Sequence, residues 1–381
     1  MHQLHGRNQG MGIRFCSLFL VLLFPLFGFA QGFFPYPKWL PAPDSLHIFP
    51  TPVFYRTPEN GAAFGLGTLY RFNPIEYVDS TKKRFSTVYL SLIHTTKKQT
   101  LLELNHHLLF AKGKIFLRGN INVDDFYDKY YGIGGNQRES DLETFRFQRA
   151  FWFQQAQWQW RKNCYLGGIG WYYDLRNISV ISGNGALANR TAPGAEGSKN
   201  LVFGISSTID TRDHQFVQSS GIFWEVQTLN AANNGANTHP FTRIRTDLRW
   251  ATPLSNTKTI LATQLYLDQT SKGAAFQFIP TLGGDRILRG YFRGRYRDYS
   301  YAAAQAEIRH TFPNQFGFQA FASAGQVGST WKNFNDSPWK IAGGIGLRYK
   351  VSEGSRTILR LDYAINRDGG SGWYVRVNEA F

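Results

Sequence analysis

The sequence predicts an all-β fold, a transmembrane antiparallel β-barrel of sixteen strands. Three observations carry this. Long segments alternate apolar and polar residues with period two. The connections between them alternate short and long. A single apolar run sits at the extreme N-terminus, and no later stretch is apolar enough to span a bilayer as a helix.

The N-terminus reads as an export signal. Arg7 and Arg14 form a positive region ahead of a nearly unbroken apolar stretch from Phe15 to Phe29. Gly28-Phe29-Ala30 then places small residues before Gln31, so cleavage is expected after Ala30. The residues before Cys16, Ile13-Arg14-Phe15, make no lipobox. The expected organisation is a signal peptide over 1–30, a short periplasmic segment over 31–51 and the barrel over 52–381.

Composition narrows the class. A mean hydropathy of −0.32 is too low for a helical membrane protein, while 16% aromatic residues suit the interfacial belts of a barrel. Cleavage would leave 40 basic against 26 acidic residues, a charge of +14, and Cys164 as the lone cysteine. One thiol builds no disulfide framework. In an exported protein the positive excess points to outer-membrane lipid and anionic lipopolysaccharide, or to an anion-attracting interior, and not to nucleic acid.

The strands follow from the alternation. In 241–250, Arg243, Arg245, Asp247 and Arg249 share one face; Thr242, Ile244, Thr246, Leu248 and Trp250 share the other. In 356–366, Arg356, Arg360, Asp362 and Asn366 oppose Leu359, Leu361, Tyr363 and Ile365. In 339–350, Trp339, Ile341, Ile345, Leu347 and Tyr349 oppose Lys340, Arg348 and Lys350. The segments run to about 10–13 residues, the length of a tilted span. Strands are expected near 52–57, 62–72, 84–95, 100–110, 113–121, 143–159, 163–175, 199–211, 219–231, 241–253, 258–269, 299–311, 315–325, 338–350, 356–366 and 372–381. Junctions such as Ala111-Lys112 and Phe312 to Asn314 are short, whereas 122–142, 176–198, 270–298 and 326–337 are long. That asymmetry separates periplasmic turns from extracellular loops. The junction 73–83 is longer than the rule expects. The last strand ends with Trp373, Val375, Val377 and Phe381 on one expected face, an aromatic-ended signal for the barrel-assembly machinery; Glu379 on that face departs from it.

One segment carries a resemblance. Leu282-Gly283-Gly284-Asp285-Arg286-Ile287-Leu288-Arg289-Gly290-Tyr291 resembles the arginine-glycine loop of the BamA/TamA superfamily, the bacterial surface antigen family. Weaker matches are Tyr55 to Gly61, Thr95 to Gln99, Tyr130-Tyr131-Gly132-Ile133-Gly134, and Ile209-Asp210-Thr211-Arg212-Asp213 with Gly221. The resemblance implies sixteen strands and a sixth extracellular loop folded into the interior, the loop that strand counting places at 270–298. It implies a loop motif of Gly283, Gly284, Leu288, Arg289, Gly290 and Tyr291, with acidic anchors on the next strands. Glu307 matches the first anchor. In Phe321-Ala322-Ser323-Ala324-Gly325, Ser323 stands where the family usually carries aspartate, so the lock is expected to be weaker or to rest on Glu307 alone. About 20 residues between Gln31 and the first strand leave no room for the POTRA domains of assembly members.

Catalytic signatures are absent: no GxSxG, HExxH, CxxC or phosphate-cradling loop occurs, and neither enzyme activity nor a cofactor is expected. His106 and His107 fall on opposite strand faces and cannot chelate together. Asp124, Asp125 and Asp128 read as a solvated acidic loop, with calcium binding as the alternative. Asp210 and Asp213 around Arg212 read as turn chemistry. The expected role is protein assembly or translocation at the outer membrane with a separate periplasmic partner; the alternative is a passive channel or structural barrel.

Overall fold

Alternation of this kind leaves each strand one apolar and one polar face, and only lateral pairing satisfies the backbone between them. The protein is described by a computed structural model over residues 47–57, 61–72, 86–232, 238–254, 258–313, 315–350 and 358–381. These fold as β1 His47–Thr57, β2 Gly61–Phe72, β3 Ser86–Thr95, β4 Thr100–Phe110, β5 Ile115–Tyr130, β6 Glu143–Arg161, β7 Cys164–Ser182 and β8 Ser198–Asp210. The second half is β9 Gly221–Ala231, β10 Phe241–Pro253, β11 Thr259–Thr270, β12 Ser300–Thr311, β13 Phe316–Gly328, β14 Lys340–Lys350, β15 Ile358–Asn366 and β16 Ser371–Val377. All lie in one sheet in chain order, each antiparallel to the next. The sheet curves strongly enough for β1 to run beside β16.

The faces are inverted relative to a soluble protein. Leu66, Phe203, Ile205, Ile345, Leu347 and Trp373 stand exposed on the outer face, Ile345 at 67%. The inner face buries Gln155, Glu225, Gln227, Asp268, Gln319, Arg348, Arg360 and Asp362. Buried charges need partners, and they find them within and across the concavity. Arg243 Nε donates to Asp268 at 2.7 Å, and Arg118 on β5 donates to Glu225 on β9 at 3.0 Å.

Three expectations change. The first strand begins at His47 and not near 52, so it is not short. The stretch 122–130 is strand and not loop, and β7 continues to Ser182. Asp124 and Asp125 looked solvated because the cross-strand arginines lie more than twenty residues away. Asp124 faces Arg149 in register and is ion-paired to it; Arg146 Nε donates to Asp125 at 2.6 Å. Neither acid belongs to a calcium loop. The junction 73–83 lies outside the described residues.

The third change concerns the C-terminus. Trp373 and Val377 are exposed at 55% each, as an outward face requires, and Val375 lies between them half-buried. Asn378 then adopts φ +66° and turns the chain. Glu379 points inward to pair with Arg348 and, at 3.6 Å, with Arg309. Phe381 is buried against Ala251, Ile260 and Ala262 and does not share the face of Trp373. Two buried arginines attract Glu379 more strongly than strict alternation holds it outward.

An outward apolar face sets a cost for charge. Ile345→Arg is expected to destabilise the barrel by about 2–4 kcal/mol in lipid, as for lipid-facing cations near the midplane. Reversible denaturant unfolding in bilayers measures this, with Ile345→Val as the near-neutral control.

Candidate functional site

The loop between β11 and β12, residues 271–299, packs onto the inner face. Its first part is apolar. Ala274, Ala275, Phe278 and Ile279 join Trp171, Val202, Leu229 and Phe241 in one buried cluster. Phe276 joins Tyr130, Phe145, Leu175 and Leu187 in a second. Two other loops clasp it. Gly134 N–H donates to the Arg297 carbonyl at 2.7 Å, and Phe276 N–H donates to the Pro193 carbonyl at 2.8 Å. The Tyr130–Gly134 motif therefore reaches the arginine-glycine loop directly.

The second part carries the motif. Gly283 has φ +97°, and a Cβ there would lie 2.7 Å from the Tyr291 carbonyl oxygen. Leu288 adopts φ +53° although it is not glycine, and its buried side chain packs with Tyr291, Tyr296 and Tyr301. Gly284 N–H donates to the Tyr291 carbonyl at 3.1 Å, closing the turn. At Gly290, φ is +104° and a Cβ would meet the Ile365 carbonyl at 3.1 Å. Only glycine brings the backbone this close to β15 at that φ. Gly290 N–H donates to the Tyr374 hydroxyl at 2.9 Å, and Asn366 Nδ2 donates to the Gly290 carbonyl at 2.6 Å.

This turn delivers Arg289 to the inner face, where the residue is 0% exposed. Its guanidinium spreads its fork over two carboxylates. Nη1 donates to Asp362 Oδ2 at 2.7 Å, and Nη2 contacts Glu307 Oε1. The Phe321 ring lies under the cation, 3.5 Å from Cζ to its centroid. The acids are held in turn. Gln319 Nε2 donates to Asp362 Oδ1 at 2.6 Å, and Arg309 Nε donates to Glu307 Oε2 at 2.8 Å. On the loop, burial pushes the Asp285 carboxyl up, but the Arg376 and Arg286 guanidiniums outweigh it and hold it below the usual carboxylate range.

The structure brings Arg289 and Glu307 together and corrects the second anchor. Ser323 faces inward, but its hydroxyl donates to the Ala342 carbonyl at 3.3 Å and not to the loop. Asp362 on β15 supplies the second carboxylate, and Asn366 holds the Gly290 carbonyl. Both were visible as polar members of the alternating set in 356–366. Pairing them with Arg289 needed the sheet's curvature, because β15 is three strands beyond β12. Arg212 forks onto Asp210, with Nε and Nη2 each at 2.9 Å, and Asp213 accepts from the Ser219 and Ser220 amides, as turn chemistry requires.

Breaking a buried pair strands the remaining charge. Arg289→Ala and Asp362→Asn are each expected to cost roughly 3–5 kcal/mol at the lock or to free the 271–299 loop. Ser323→Ala removes one neutral hydrogen bond and should cost only about 0.5–1.5 kcal/mol. Heat-modifiability and limited proteolysis of the loop check the ranking; equal effects of Asp362→Asn and Ser323→Ala would refute it.

The comparisons with known proteins agree with this architecture. The Omp85 superfamily domain matches residues 117–381. No curated protein matches the chain in sequence. Among solved structures, the chain is similar to BamA from Haemophilus ducreyi lacking POTRA domains 1–3, with a TM-score of 0.55 and 14% identity, covering 88% of this chain and 70% of that one. CdiB from Acinetobacter baumannii gives 0.54 at 12% identity over 87% of this chain, and CdiB from Escherichia coli 0.54 at 11% over 90%. The chain spans 59% and 63% of those two proteins. At such identities the likeness is one of fold. The domain match covers most of the chain and contains the arginine-glycine loop with both of its carboxylate anchors: the protein belongs to the Omp85 superfamily of outer-membrane β-barrels.

Proposed function

We propose that this barrel acts in protein assembly or translocation at the outer membrane, in the manner of BamA/TamA-type barrels, on protein or lipid clients and with a separately encoded periplasmic partner. One observation carries the reading. Arg289 is wholly buried and joins the inward loop to β12 and β15, while Gly290 joins it to β16. A barrel serving only as a passive pore has no need of a cation buried at the cost of full desolvation. The same arrangement braces the last strands from inside. It leaves the meeting of β1 and β16 as the place where the wall can open.

The apolar packing of Phe276, Phe278 and Ile279 against the inner wall weighs against a passive channel. An aqueous path through that region would have to displace both clusters.

Planar-bilayer conductance of the purified protein beside Arg289→Ala tests the reading. The native protein is expected to stay mostly closed and the variant to open. A steady open pore in the native protein would favour the channel instead. Affinity capture after in-cell cross-linking should recover one periplasmic protein reproducibly, and consistent failure across detergents would count against the partner.

A further inference from the structure

The outer face carries a cavity that the lock does not explain. It is a groove of about 560 Å³ between β14 and β15. Ile341, Gly343 and Ile345 share the outward register of β14, and Ile365 and Tyr363 are the ladder partners of Gly343 and Ile345. Ile341, Ile345 and Ile365 stand 48%, 67% and 55% exposed, so apolar side chains rise around a position that has none. Gly343 is outside the left-handed region, and a Cβ there would meet a single atom within 4 Å, the Phe321 carbonyl oxygen at 3.2 Å. No turn of the chain requires this glycine; its effect is to open the wall. The Tyr363 ring, its centroid 4.7 Å from that of Trp373, closes the lower end.

The groove has a defined depth in the membrane. It begins at the long-loop end of the barrel, where the Arg367 N–H donates to the Ile341 carbonyl at 2.9 Å. From Ile341 to Ile345 it extends about 14 Å at the usual strand rise. Half the hydrocarbon thickness of a bilayer is about 15 Å, and strand tilt shortens the vertical reach further. Both ends of the groove therefore lie in the outer leaflet, whose acyl chains face this wall.

The rim above it is cationic. Arg367 lines the groove and is exposed, on the outward register set by Ile365. Among the described residues, no carboxylate lies in ion-pair range of its guanidinium. The adjacent Asp368 is engaged elsewhere: it accepts from the Tyr296 hydroxyl at 2.7 Å and lies 3.4 Å from Lys340 Nζ. Trp339, 43% exposed, precedes Ile341 on the same register and sets an amphipathic ring at the level where headgroups begin. An apolar slot ending under an exposed guanidinium has the layout of a lipid, with a chain below and an anionic group above. The planar fork of arginine matches phosphate oxygens.

We propose that this groove holds one lipopolysaccharide molecule of the outer leaflet, with an acyl chain of its lipid A between β14 and β15 and a lipid A phosphate on Arg367. The site needs the outer-membrane setting and not the assembly role. The inner side of the same region carries the lock. Asp362, beside Tyr363, accepts from Arg289, and Asn366, which lines the groove, donates to the Gly290 carbonyl. An occupied groove thus packs the outer side of a strand whose inner side holds the loop.

The test uses the full-length protein in detergent, freed of lipopolysaccharide and titrated with purified lipid A, with bound lipid counted by native mass spectrometry. One lipid A is expected to bind more tightly than the rest. Arg367→Gln, an exposed change outside the strands, should weaken that one by about tenfold, the effect of losing a charge-assisted contact. Lipid A stripped of its phosphates should show the same loss on the native protein. Gly343→Leu fills the groove and should abolish the tight site. Arg138→Gln, exposed on another extracellular loop, should bind as the native protein does. Equal losses in Arg138→Gln and Arg367→Gln would mean general charge attraction and overturn the proposal. So would undiminished binding in Arg367→Gln or in a folded Gly343→Leu, or a tight site that takes phosphatidylglycerol as well as lipid A. If Gly343→Leu does not fold, Arg367→Gln and the dephosphorylated lipid decide the matter.

Discussion

A guanidinium with no access to water has to be neutralised where it stands, and Arg289 imposes that requirement on the rest of the barrel. It enters on a loop, so the loop must reach the inner wall. Its cation needs carboxylates, so β12 and β15 must present Glu307 and Asp362 at one height. Its flat face needs a floor, which Phe321 supplies from β13. Each acid then needs a further partner, and Gln319 and Arg309 meet that need. The lock is thus a network in which every member fixes another's rotamer. Such networks are costly to half-satisfy, which favours a single arrangement.

The same logic explains how the inner face is organised. Bilayer outside forces polar and charged residues inward, and an enclosed face cannot leave them unpaired. Away from the lock, Arg243–Asp268, Arg118–Glu225 and Arg149–Asp124 distribute that pairing around the curved sheet. Toward the long-loop end the solution changes from charge to packing, where Phe276, Phe278 and Ile279 meet aromatic side chains of the wall. Apolar packing there and ion pairing at the motif hold one loop at two points. A transition that frees the interior has to release both.

Much of this was legible in the sequence because its cause is local. Period-two alternation located the strands and the long 270–298 connection, and the resemblance carried by Gly283, Arg289 and Gly290 marked that connection as the inward loop. What was misread depended on contacts between distant segments. Asp124 and Asp125 resemble a solvated loop until Arg149 and Arg146 come into register. Ser323 stands at the position where the resemblance implies an aspartate, whereas Asp362 reaches Arg289 only through curvature. Phe381 was placed outward by simple alternation, which cannot register that Asn378 turns the chain and that Glu379 is drawn to Arg348.

The inward loop depends most heavily on Asp362 as the partner of Arg289. A double-mutant cycle of Arg289→Ala and Asp362→Ala, with stability measured by denaturant unfolding in lipid, tests that pairing directly. Contacting residues in one network are expected to couple, so the double variant should lose about 1–3 kcal/mol less than the sum of the single losses. Additivity to within about 0.5 kcal/mol would contradict the account and place the stabilisation of the inward loop elsewhere.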